Sequence, residues 1–282
     1  MTLDELLAAF DVRPHDGGFT AEASPDGGRQ VVDGSQILAQ SIVAVSKSFP
    51  DKAVRTAHAL FVAAADPAKP IEFTVTPVKQ GRSFTSATAT ATQQDRICAT
   101  VTVLLDHPQA DVIRHDRWTG PPVKQPEDAF PATMPLPGRE LRLVDVRDHN
   151  DPDEVGPPEL NAWLRYDTVP ERDDLRRALL AHFTGHLSIS TTMRAHAGIG
   201  TAQAHHTVST AVMSIGVSFH DPIGWDGWIR YHHESSYAGS GMSYVRGQVL
   251  AEDDRLLASF TQDAMLRAVT STASEIPAES RL

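Results

Sequence analysis

The chain has 282 residues, 41% of them hydrophobic and 22% charged, with 25 basic against 36 acidic side chains and a net charge of −11. Such a composition predicts a soluble globular protein of one large domain or two ordinary ones, and the acidic excess argues against a broad phosphate-binding face and hence against a nucleic-acid partner. The single cysteine, Cys98, excludes an internal disulfide and fits a reducing compartment such as the cytoplasm.

At the N-terminus, residues 1–14 carry acids where a secretory leader needs bases, and no window approaches eighteen uninterrupted apolar residues, so neither a signal peptide nor a membrane span is expected. Residues 3–10 predict a short amphipathic helix, and Pro25-Asp26-Gly27-Gly28 marks a hairpin. Residues 35–46 mix Ile37, Leu38, Ile42, Val43 and Val45 with small side chains, the pattern of a helix buried on most sides, with Asp33 or Ser35 placed to cap its start. The period then changes. Residues 54–63, 71–78, 83–92 and 96–105 alternate and are rich in Thr, Val and Phe, as half-buried strands are, with turns at Gln80-Gly81 and Gln94-Asp95. A helix followed by an antiparallel meander is an α+β unit, because the sheet needs the helix to cover its apolar face. Cys98 reads there as a buried strand thiol.

Residues 107–160 hold ten of the nineteen prolines and read as a connection crossing the surface, with 140–146 a strand opening the second half. The order then repeats. A strand at 161–166 precedes a helix from Asp173/Asp174 to about Ala197, with acids at its N-terminus as the macrodipole prefers. Strands follow at 211–219, 228–236, 243–250 and 256–266, and a polar tail begins near Val269. This division predicts units at 1–108 and 138–282 joined by a linker at 109–137.

The halves also repeat in sequence. Residues 95–105 superpose on 254–264 without a gap, pairing Asp95 with Asp254, Arg96 with Arg255, Ala99 with Ala258 and Thr102 with Thr261. A period this long indicates a duplicated domain rather than a solenoid. Inside the repeat, apolar Val103 corresponds to polar Gln262, which singles out the glutamine.

Standard chemical motifs are missing or incomplete. Gly198-Ile199-Gly200 starts like a dinucleotide loop, but no strand precedes it and position 203 is Gln. Gly239-Ser240-Gly241 is too short for a nucleophile elbow and belongs to a hairpin. His182 and His186, one helical turn apart, have metal-ligand spacing but lack the HExxH glutamate and an acidic third ligand. The pairs His205-His206 and His232-His233 read as surface residues. Asp148-His149 only superficially matches a hydratase pair. Ser280-Arg281-Leu282 is close to a peroxisomal address, and coincidence is the simpler reading.

Taken together in order, Arg29-Gln30-Val31 with Gly34-Ser35-Gln36, His58 with Phe61, Gly81-Arg82-Ser83-Phe84, Trp163-Leu164-Arg165, Leu179-Leu180-Ala181, His196-Ala197-Gly198, Phe219-His220-Asp221-Pro222, residues 225–231, Val245-Arg246-Gly247 and Ala258-Ser259 leading into Gln262 carry a resemblance. The chain resembles the acyl-CoA thioesterase II family from about Leu3 to Arg267. The resemblance implies a double hotdog, two tandem units each wrapping a sheet round its own helix, that hydrolyses acyl-CoA to fatty acid and CoA without a cofactor and forms a homo-oligomer. It further implies a site made of a helix aspartate, a strand threonine and a last-strand glutamine. Gln262 matches the glutamine. The aspartate falls on Gly185 and the threonine on Val212, neither of which can do the same chemistry. His182, about 60° round the helix from Gly185, and His186, about 100° round, are candidate replacement bases. Ser214 is a candidate hydroxyl two residues from Val212, and Asp33, Gln36 and His58 hold comparable places in the first unit, where capping and core contacts account for them. The other reading these substitutions allow is an acyl-CoA-binding hotdog with weak or no hydrolysis.

Overall fold

The computed structural model describes residues 2–22, 31–116, 118, 120–132, 134 and 136–269. The hairpin expected at Pro25–Gly28, Arg29-Gln30, and the tail from residue 270 with its Ser280-Arg281-Leu282 lie outside the described residues.

Helix α1 (Leu3–Phe10) starts at a Thr2/Glu5 capping box and buries Leu3, Leu6 and Phe10. The small strands β1 (Arg13–His15) and β2 (Gly18–Ala21) follow. Helix α2 (Gly34–Ser48) is capped by Asp33, and every residue from Ser35 to Val45 is buried. A helix enclosed on all sides must satisfy its polar side chains internally. Gln40 accordingly donates to the carbonyls of Ala9 and Glu22, and Ser41 to that of Ile37. Four long strands wrap it: β3 (Ala53–Phe61), β4 (Ile71–Gln80), β5 (Phe84–Gln93) and β6 (Arg96–Asp106).

After β6 a 3-10 turn at Pro126–Asp128 leads into β7 (Phe130–Pro131), β8 (Arg139–Leu143) and β9 (Glu159–Tyr166). Helix α3 (Asp173–Phe183) comes next, then α4 (Ser188–Met193), β10 (Val208–Phe219), β11 (Ile229–Gly239), β12 (Met242–Ala251) and β13 (Leu256–Ala268). No helix among the described residues is long and apolar enough to cross a membrane.

The thirteen strands of the described residues form one sheet, in the order β1-β2-β4-β5-β6-β3-β10-β13-β12-β11-β9-β8-β7. Its two halves are the same motif. Starting from β2 and from β9, each runs first, third, fourth, fifth, second strand, with the helix inserted after the first. The halves join edge to edge where β3 pairs with β10, Gly216 opposite His58. Side chains cross that seam: Arg55 bonds both Asp106 and the Phe219 carbonyl, and Arg177 donates to the Val54 carbonyl. Strands β6 and β13 therefore occupy equivalent places, so the sequence repeat is also a spatial one. Even its opening turn is repeated, with Asp95 and Asp254 at φ +65° and +63°. Cys98 is buried in β6 as expected.

One expected element differs. The helix predicted to run from 173 to 197 breaks after Phe183 and resumes at Ser188, with Leu187 in the left-handed region at φ +65°. Thr184 turns its hydroxyl back onto the Ala181 carbonyl at 2.7 Å and Gly185 follows it, which ends the helix with a local alternative to the next backbone bond.

Candidate active site

The α3–α4 break lies against the N-terminus of α2, where the two helices come unusually close. A Cβ built on Gly185 would lie 2.5 Å from Ser35 Cβ, 2.8 Å from Ser35 Oγ and 3.4 Å from Ile215 Cδ1. Glycine is required here by the close approach, not by backbone conformation.

A broken helix leaves carbonyls to satisfy, and neighbouring side chains take most of them. Tyr231 Oη donates to Leu180 O at 3.1 Å, His186 Nδ1 to His182 O at 3.1 Å and His233 Nε2 to His186 O at 3.1 Å. Gln262, on β13, places its Nε2 3.4 Å from Gly185 O, a long contact for an amide. Gln262 is 1% exposed, and its Oε1 has no hydrogen-bond partner among the described residues. A buried carbonyl oxygen without a donor costs about 1–3 kcal/mol, so this amide is held at a price in stability.

Because a carbonyl only accepts, the His182 contact fixes a proton on His186 Nδ1 and leaves Nε2 facing away from the helix. There it meets Asp33, whose Oδ2 lies 4.0 Å off. The other carboxylate oxygen of Asp33 receives Ser35 N at 2.9 Å and Ser35 Oγ at 2.8 Å. The His186 ring is stacked on Phe183, with centroids 5.3 Å apart, and touches His182. His182 is buried against Phe10, and burial, reinforced by His186 nearby, holds its imidazole well below the ordinary histidine range, so it is neutral at physiological pH.

Gln262, Gly185, His182 and His186 thus come together, and two other expected residues divide. Val212 pairs with Ala264, and Ile215 with Gln262, so both sit on the glutamine's face of the sheet. Ser214 pairs with Asp263 instead and donates to its carboxylate at 2.6 Å on the opposite face. A β-bulge between Val212 and Ser214 reverses the alternation that would otherwise keep residues two apart on one side. His58 is exposed on the outer face across from Gly216. His233, expected at the surface, is fully buried, T-stacked on Phe260, and neutral because burial pushes its pKa down to about 3. His232 and His233 point to opposite faces of β11, and the broken helix closes the face that His233 takes.

An acyl-CoA thioesterase N-terminal domain model matches residues 22–105, and the corresponding C-terminal domain model matches residues 119–266. The chain belongs to this acyl-CoA thioesterase family. Its members are thioester hydrolases by name. Acyl-CoA thioesterase 2 of Haemophilus influenzae is 29% identical over 268 residues, covering 88% of this chain and 92% of that protein. Acyl-coenzyme A thioesterase 8 of Mus musculus is 25% identical over 264 residues, covering 83% and 79%. Among solved structures, the tesB protein of Mycobacterium avium subs paratuberculosis superposes with a TM-score of 0.78 at 20% identity, over 94% of this chain and all of that one. A hot dog fold protein of Alicyclobacillus acidocaldarius gives 0.77 at 21%, over 94% and 99%. These establish the double hotdog.

Proposed function

We propose that this family member hydrolyses fatty acyl-CoA, as an acyl-CoA thioesterase, at the junction of the α2 N-terminus with the α3–α4 break, and that Gln262 holds the attacking water or the thioester carbonyl there. The observation that carries the assignment of the site is the buried Gln262 amide with an unsatisfied oxygen beside Gly185 O. An amide can orient a water without competing for its proton. His186 stands within reach of that water. His182, neutral and turned to Phe10, acts through its carbonyl by fixing the His186 tautomer. Val212 supplies apolar wall, and water is the only co-reactant the reaction needs.

A binding protein without turnover has no support from the family or the curated relatives, which are named for hydrolysis. A cytoplasmic setting is supported by the lone reduced-type cysteine, buried in a strand. Self-association is supported by the outer face of the sheet, where Tyr237, Tyr244 and Leu60 stand exposed in one cross-strand row with Asp263 and Ser214 between them. The function is tested with acyl-CoAs of graded chain length, following release of CoA thiol. Turnover at one or more lengths is expected. Saturable binding of the series with no thiol release would refute hydrolysis.

A further inference from the structure

The carboxylate that the family resemblance places on the second helix is absent at Gly185, yet a buried carboxylate does reach this spot from the other helix. We propose that Asp33 is the catalytic carboxylate of this chain: together with His186 it holds the hydrolytic water and removes its proton. The inference rests on the thioesterase reading and names the base within it.

Four observations converge. Asp33 is only 9% exposed, and its Oδ1 is fixed by the Ser35 backbone N–H and hydroxyl, which aims Oδ2 at His186 Nε2. The 4.0 Å between those atoms is too long for a direct hydrogen bond and suits a shared water, which at ~2.8 Å from each would bridge them at an angle of roughly 90°. Ser35, the residue that fixes Asp33, fills the space a side chain at 185 would need, so the two helices have exchanged which of them enters the site. Finally, Gln262, 1% exposed, has its Nε2 3.4 Å from Gly185 O, and its unsatisfied Oε1 has capacity for a substrate or water hydrogen bond.

The step balances simply. A lone pair of the water attacks the thioester carbonyl carbon as its proton passes to Asp33 Oδ2. The tetrahedral oxyanion collapses, the C–S bond breaks, and the departing thiolate takes that proton, giving a fatty acid and CoA thiol and returning Asp33 to its carboxylate. His186, its Nδ1–H anchored on the His182 carbonyl, keeps the water's second contact.

Asp33→Asn separates this role from capping, because asparagine caps a helix as well as aspartate does but cannot take a proton. The expected result is a fall in kcat of about 100-fold or more with KM and melting temperature close to wild type. Moving the carboxylate back should restore function: adding Ser35→Gly and Gly185→Asp to Asp33→Asn makes room at 185 and is expected to regain at least about tenfold in kcat. The relocation is conformationally open because Gly185 is outside the left-handed region. Retention of more than about a third of wild-type kcat by Asp33→Asn overturns the inference while leaving the thioesterase reading intact. A loss matched by a falling melting temperature, with no regain on relocation, assigns Asp33 to capping alone and overturns it too. No thiol release by the wild-type chain at any acyl length refutes the underlying reading instead.

Discussion

Gly185→Ala tests the close approach of the α3–α4 break to α2. In an ordinary position the change would stabilise by about 0.4–1 kcal/mol, since alanine has fewer unfolded conformations to lose. Here the new methyl would sit 2.5 Å from Ser35 Cβ and 2.8 Å from its Oγ, distances that require α2 and the α3–α4 break to separate by roughly 1 Å. Overpacking of this kind costs about 1–3 kcal/mol, so the net effect is a loss of about 1–2 kcal/mol, equivalent to roughly 2–6 °C in melting temperature for a chain of this size. The clash is with Cβ as well as the hydroxyl, so Ser35→Ala should not relieve it, whereas Ser35→Gly should, with a favourable coupling of about 1 kcal/mol or more in the double-mutant cycle. Thermal unfolding of the four variants reads this directly. A Gly185→Ala protein as stable as wild type, or more stable, would show that the helices do not touch at Ser35 and would remove the packing on which the site is built.

Three other outcomes follow from buried polar groups. His233 has its pKa lowered by burial from 6.5 to about 3, so the unfolded chain binds the extra proton first; folding stability is complete above pH 6.5 and is lost as pH falls, by about 2 kcal/mol between pH 6.5 and 5, and His233→Gln should flatten that slope in urea titrations run at each pH. Arg230, 1% exposed between Trp118 and Trp163, is paired with Asp254, whose side chain is 57% exposed, so Asp254→Ala should cost about 1–2 kcal/mol in unfolding experiments, between the values of exposed and buried pairs. Ser214→Ala should leave kcat within about twofold, because that hydroxyl is spent on Asp263 behind the sheet; a larger drop in thiol release would place it in the site after all.

Much of this fold is legible in the chain because its signals are periodic. The buried mixture from Ile37 to Val45 marks α2, and the superposition of residues 95–105 on 254–264 marks β6 and β13 as counterparts, which is how Gln262 stands out against Val103. What the sequence hides is where a regular pattern is locally broken. Thr184-Gly185 looks like a tolerated weak spot in a long helix, and only the tertiary contact with Ser35 makes it a break. The bulge at Met213 has no residue signature, yet it decides that Val212 and not Ser214 faces the glutamine. Asp33 is readable as a cap, correctly, since its Oδ1 performs that role. That its other oxygen meets His186, 153 positions further along the chain, is a tertiary contact, and spacing along the sequence carries no trace of it.

The most direct test of the site is the kcat of Gln262→Ala on the acyl-CoA that the wild-type chain cleaves fastest, with the melting temperature of both proteins recorded alongside. A site centred on this amide predicts a fall of about 100-fold in thiol release with a folded protein of near wild-type stability. Equal turnover in the two proteins would contradict it, and the glutamine would then be a cap for the Gly185 carbonyl and nothing more.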